Sequence, residues 1–186
     1  MCSVCFHNGT VLSGFASMEH CAVLVEDGVV ADVFSQKRFE QKRFGADTRI
    51  IDVDGAYIAP GFIDTHIHGF GGYGTDDSST ESGVEMSRLL AHYGVTAFNP
   101  TLYPSEPKAM LEAVRNVAAA FGKESGARIM GLHLEGPFLS PDRLGVQKPD
   151  TLSPVDLDFM EELWEAAQGH IVNMTVAPEL KGMREL

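Results

Sequence analysis

An α/β architecture, with a parallel sheet preceded by a short all-β segment, is predicted by three features of the 186-residue chain. From Gly61 onward four apolar runs are separated by three segments of helical period, the pattern of consecutive βα units. Before that point the chain is a series of short apolar runs broken by Asp-Gly pairs, which reads as strands and tight turns. Polar side chains collect where the later apolar runs end, as in His66-Ile67-His68 and His133-Leu134-Glu135.

The first segment, residues 1–59, contains "CAVLVEDGVVADVF", two apolar runs joined by Asp27-Gly28. Such a pair accepts positive φ, so it predicts a hairpin. "TRIIDVDGAYIAPG" repeats the device at Asp54-Gly55 and predicts a second one. Between them "QKRFEQKRF" repeats four residues at a spacing of five. That period matches no solenoid, and the segment is read as a solvated helical turn.

In the second segment, residues 60–186, "GFIDTHIH" predicts a strand and "STESGVEMSRLLAHYG" a helix with polar capping residues and a terminating Gly94. "VTAFNPT" follows as a strand and "SEPKAMLEAVRNVAAAFG" as a helix beginning near Ser105. "ARIMGLHLEGPF" is a strand running into a Pro/Gly-rich loop. "SPVDLDFMEELWEAAQG" is a helix with Ser153 as N-cap and Pro154 at its first position, and "HIVNMTVAPE" is the fourth strand. Right-handed crossovers make the sheet parallel. The periodicity leaves two architectures open, a doubly wound sheet or part of an eight-stranded barrel. "GFGGYG" lacks the G-x-G-x-x-G spacing, so it reads as a loop passing close to a metal or substrate rather than a nucleotide cradle.

Bulk properties narrow the function. Hydrophobic residues make up 44% and charged residues 22% of the chain, an ordinary globular composition. A formal charge of −12 argues against nucleic acid or an anionic membrane surface as partner, since both need a basic face. No apolar stretch approaches the roughly 20 residues of a membrane span, and the start lacks a signal-like pattern; a soluble, cytoplasmic protein is expected. Cys2 and Cys5 have the C-x-x-C spacing, but no second pair follows, and they are read as ordinary thiols.

His66 and His68 stand two residues apart, so on an extended segment both rings project from one face. His133 and Glu135 have the same relation two strands later. If strands one and three point inward to the same region, as in a barrel, His66, His68 and Glu135 can share one cation. A carboxylate at the end of "IMGLHL" needs a partner or a metal if it is ionised and buried. Imidazole with carboxylate suits zinc or iron better than magnesium or calcium.

"APGFIDTHIHG", "GVTAFNPTL", "GLHLEGPFLSP" and "MTVAPEL" resemble the successive strand motifs of the N-acetylglucosamine-6-phosphate deacetylase family, within the amidohydrolase superfamily. The resemblance implies the first half of a metal-dependent (β/α)8 TIM-type barrel, about four strands. Part of a small β-sandwich domain, formed by the N-terminal strands, would precede it. It implies hydrolysis of the acetamide of N-acetylglucosamine 6-phosphate, with one or two divalent cations, zinc or iron, per complete site. The implied partners are a phosphorylated N-acetyl amino sugar and, for the complete protein, further copies in a homo-oligomer.

By that resemblance Glu135 takes the principal metal position, and His66 with His68 a second one. The family's substrate-contacting Gly-Ala-His triplet corresponds to Gly145, Val146 and Gln147. Val146 and Gln147 are therefore the substrate-binding candidates, although Gln147 carries no charge where the family has an imidazole. The family's catalytic aspartate and two further histidines would lie beyond Leu186. No catalytic residue is assigned within the chain, and the chain is expected to be a truncated form, inactive alone. His170 is the only histidine after Glu135 and opens the fourth strand, at the wrong end. The alternatives are a half-barrel module for binding or oligomerisation, and an amidohydrolase acting on a different acetylated amino sugar.

Overall fold

The structure is a computed structural model describing residues 3–77 and 79–186. The chain divides into two compact units, Met1–Pro60 and Gly61–Leu186. No helix among the described residues is long and apolar enough to cross a membrane.

The first unit holds β1 (Ser3–Leu12), β2 (Ser17–Glu26), β3 (Val29–Ser35), α1 (Gln36–Gln41), β4 (Thr48–Asp52) and β5 (Tyr57–Ile58). The strands form one sheet in the order β3-β2-β1-β4, with β5 also on β1. Asp27 and Gly28 make the β2–β3 turn with φ of 50° and 81°, the two positive values that a tight hairpin of this hand requires. The expected second hairpin does not form. β4 and β5 both run parallel to β1, against Ser3–His7 and Thr10–Val11. Asp54-Gly55 instead makes a jog between them, held by Val53 N–H to His7 O (3.0 Å) and Gly55 N–H to Asn8 O (2.7 Å). An Asp-Gly pair specifies a local turn; which edge its flanks join is decided by the ten-residue β1.

α1 is the helical turn expected from the repeat, capped by Ser35 Oγ accepting from Arg38 N–H. It is not wholly solvated, because Phe39, with Phe44, packs on buried Cys5, Ala22, Leu24 and Phe34. Burial pushes the Cys5 thiol up from its ordinary value, against the smaller pull of Lys42, which suits an inert core thiol. Cys2, the other half of the C-x-x-C pair, lies outside the described residues.

The second unit runs β6 (Phe62–Ile67), β7 (Gly69–Phe70), β8 (Tyr73–Gly74), α2 (Thr80–Ala91), β9 (Val95–Leu102), α3 (Pro107–Ala118), β10 (Arg128–Ile129), β11 (Leu132–Glu135), α4 (Leu157–Ala166) and β12 (Ile171–Thr175). β6 pairs with β9, β9 with β10 and β11, and β11 with β12, all parallel. The main strands β6, β9, β11 and β12 therefore lie side by side in sequence order, with α2, α3 and α4 in the three connections, while the two-residue β10 pairs with β9 alone. "GFGGYG" forms the small β7–β8 hairpin, not a cradle; Gly71 sits at φ 64°, and a Cβ there would run into Leu89.

α2 is capped by Ser79, which accepts from Glu81 N–H. α4 corrects the reading of its start. Its N-cap is Asp156, whose carboxylate accepts from Phe159 N–H at 3.0 Å. Ser153 lies outside the helix, with its N–H tied to Pro137 O. Both residue types can cap, but the helix begins at Leu157, and it is Asp156 O that accepts the first helical bond, from Met160 N–H.

Alternate residues of the strands face opposite ways. Phe98 meets Met86 and Leu90, while Leu102, Leu132 and Leu134 meet Met110, Val114 and Leu163. Each fully buried Leu or Phe contributes roughly 1.5–3 kcal/mol, so this helix-covered side anchors the sheet. The other side carries Asn99, Thr101, His133 and Glu135, the polar residues of the same strands.

Candidate metal centre

Ile67 packs toward the cluster containing Met86 and Phe98, so the alternation along β6 turns His66 and His68 to the opposite side. Ile67 N–H donates to Thr101 Oγ1 at 3.1 Å, and His66 N–H to Asp64 Oδ1 at 3.1 Å. His68 Nδ1 lies 3.1 Å from Thr101 O. A carbonyl only accepts, so Nδ1 carries the hydrogen and Nε2 of the neutral ring is left with a lone pair. Tyr103 lies flat on the His68 ring, with centroids 3.6 Å apart and planes 1° from parallel.

Glu135, the last residue of β11, meets this pair. His66 Nε2 is 3.0 Å from His68 Nε2, and His68 Nε2 is 3.3 Å from Glu135 Oε2. One ligand atom from each of the three residues lies within 4.8 Å of the others. Lone-pair atoms turned on one another repel unless a proton or a cation lies between them. Two imidazole nitrogens and a carboxylate oxygen are also a common donor set for a divalent transition metal. The residues fit such a group.

Burial holds the proton affinity of His68 below the usual imidazole range; Glu135 pulls it up and His66 pushes it further down. His133 is lowered too, by burial first and then by His66. Low proton affinity favours the neutral ring, the form in which an imidazole ligates. His133 is itself 2% exposed. Its Nδ1 is 3.1 Å from Thr101 Oγ1, its Nε2 is 2.9 Å from Thr175 Oγ1, and its ring stands edge-on to His66. With both nitrogens engaged, it is not part of the converging group.

Of the substrate-binding candidates, Gln147 donates from Nε2 to Glu135 Oε2 at 3.2 Å. It lines a cavity of about 450 Å³ with Val146, Lys148, Tyr103, Ser105 and Asp76. Val146 belongs to the same wall and is 88% exposed. His170 lies apart, just before β12, with Nδ1 2.8 Å from Gln168 O and its ring beside Phe121. Sequence reasoning missed Tyr103, Thr175 and the contact between Gln147 and Glu135. The available signals were positional. Tyr103 continues the alternation of Thr101 just past β9, and Thr175 stands opposite Glu135 in the β11–β12 register.

The Amidohydrolase family matches residues 57–182. Human N-acetylglucosamine-6-phosphate deacetylase is 39% identical over 157 residues, covering 80% of this chain and 37% of the human protein. The Caenorhabditis elegans protein of the same name is 34% identical over 192 residues, covering 97% of this chain and 44% of its own. The chain thus spans less than half the length of these curated relatives. A solved Mycobacterium smegmatis structure, of a D267A mutant of N-acetyl-D-glucosamine-6-phosphate deacetylase in complex with N-acetyl-D-glucosamine-6-phosphate, superposes with a TM-score of 0.76 at 25% identity, covering 97% of this chain and 44% of that one. With two thirds of its length matched by the family and the likeness extending to the fold, the chain belongs to the amidohydrolase family.

Proposed function

We propose that the chain carries part of a metal-dependent deacetylase that hydrolyses the acetamide of N-acetylglucosamine 6-phosphate to glucosamine 6-phosphate and acetate. Residues 60–186 are the first half of its (β/α)8 barrel, and residues 1–59 belong to a small β domain. The complete enzyme is cytoplasmic and a homo-oligomer. The observation that carries this reading is the convergence of His66, His68 and Glu135 at the strand ends, where enzymes of this architecture keep their chemistry.

His66, His68 and Glu135 would hold one divalent cation, zinc or iron. A cation held there supplies a Lewis acid for the amide carbonyl and makes water a stronger nucleophile near neutral pH. The chain's own residues position the substrate. Gln147 braces Glu135 through Nε2, and its amide oxygen is an acceptor for a sugar hydroxyl or the acetamide N–H. Lys148 lines the same cavity and supplies positive charge for the phosphate that Gln147 cannot. Tyr103 presents a ring face beside His68 against which a sugar can lie.

The chain spans less than half the length of the curated deacetylases it matches, and no general acid–base residue is assigned within it. Turnover by the isolated chain is not expected, because general acid–base help is commonly worth about 10²–10⁴-fold. Binding is the informative test. Calorimetry should show saturable binding of N-acetylglucosamine 6-phosphate to the zinc-loaded chain, weaker in Gln147→Ala and in the metal-free chain, with no acetate released. Absence of binding at millimolar ligand, or binding indifferent to both zinc and Gln147, contradicts the reading.

A further inference from the structure

We infer that Thr101 and His133 form a positioning pair that aims the His66–His68 segment at Glu135, and that cation affinity at the cluster depends on it. The inference rests on the reading of that cluster as a metal site. Neither residue belongs to the converging group, and both are buried, at 0% and 2% exposure.

One assignment of hydrogens satisfies every contact in the network. Thr101 Oγ1 has one hydrogen and two lone pairs. It lies 3.3 Å from Asn99 O, 3.1 Å from Ile67 N and 3.1 Å from His133 Nδ1. In this assignment the hydroxyl hydrogen goes to Asn99 O, which can only accept. The two lone pairs then receive Ile67 N–H and His133 Nδ1–H. His133 Nε2 is left as an acceptor and receives the Thr175 hydroxyl hydrogen at 2.9 Å. Every donor in this chain of contacts has an acceptor.

The same residue controls the segment at a second point. Thr101 O accepts from His68 Nδ1 at 3.1 Å and from Thr75 Oγ1 at 2.6 Å. Thr101 therefore holds the backbone between the two histidines through its side chain, and the His68 ring through its carbonyl. His133 stands two residues before Glu135 on β11 and is paired with Thr101 in the β9–β11 register. The imidazole and the two threonine hydroxyls tie β9, β11 and β12 together at the level of the cluster, and Ile67 ties β6 to them. A metal-binding imidazole needs its second nitrogen and its backbone held in this way, and loss of such support typically costs about 10–100-fold in affinity.

The test compares Thr101→Val, which keeps the shape and removes the hydroxyl, with Thr101→Ser, which restores it. Zinc affinity is read by competition with a chromophoric chelator, and hydrogen exchange of the Ile67 amide is read by NMR without metal. Thr101→Val and His133→Leu should each weaken zinc by about 10–100-fold and speed Ile67 exchange, with Thr101→Ser close to wild type in both. The Thr101→Val/His133→Leu double variant should lose no more than either single, because the two act as one unit. If Thr101→Val does not fold, Thr175→Val interrupts the same network at its exposed end and should give a smaller loss of the same sign. Unchanged zinc affinity, unchanged Ile67 exchange, failure of serine to rescue, or additive losses each overturn the inference. A wild-type chain that takes up no zinc overturns the metal reading beneath it, and with it the claimed dependence of cation affinity.

Discussion

His68 donates from Nδ1 to the Thr101 carbonyl, which leaves Nε2 facing Glu135 at 3.3 Å. The spacing of His66 and His68 announced a shared face, because alternation on a strand is a local property. Tyr103 lay on the same alternation as Thr101 but was not singled out, and the place of Thr175 opposite Glu135 depends on strand register, which cannot be read from the sequence. Another local contact yields a pH prediction. Asp77 accepts from Gly74 N–H and Ser82 Oγ at 2.8 Å each, and these two bonds hold its carboxyl below the ordinary aspartate value. A depressed folded pKa contributes stability that is complete above the unfolded value, about 3.9, and is lost as pH falls through the folded one. Asp77→Ala should cost about 0.5–1 kcal/mol at pH 7, at the low end because the carboxylate is largely solvated. The gap in melting temperature between wild type and variant should close as pH drops below about 3.9. A gap that is constant from pH 7 to pH 2 contradicts this assignment.

Turn and cap signals behave differently at the scale of elements. The Asp27-Gly28 hairpin was legible because turn and pairing partners are adjacent. Asp54-Gly55 carries the same dihedral signature yet ends in a jog, since β4 and β5 find β1 rather than each other. The start of α4 shows the same limit. Ser153 and Asp156 are both plausible caps, and the Pro137 contact that engages Ser153 comes from a distant segment. Asp156→Ala should therefore lower stability by about 0.5–2 kcal/mol. Ser153→Ala should be neutral or slightly stabilising, because the Ser153 hydroxyl is buried without a hydrogen-bond partner among the described residues. Thermal or urea unfolding of the two variants checks the order, and a larger loss for Ser153→Ala reverses the assignment.

For the whole molecule, the order of strands in the second unit was legible because each βα step repeats one period and one crossover hand. Burial was less so. Phe62 and Ile63 belong to the apolar run that signals β6, yet they are 71% and 59% exposed, since burial depends on what lies across the sheet and not on the strand's own pattern. The convergence of β6 and β11 on one point is the property on which the proposed function turns, and it joins residues nearly seventy positions apart. Zinc content after chelator washing, reloading and dialysis tests it most directly, on wild type, Glu135→Ala and the His66→Ala/His68→Ala variant, each shown to be folded. The account predicts about one zinc per wild-type chain and its loss in both variants. Zinc retained at the wild-type level in either variant would show that the three side chains do not share a metal.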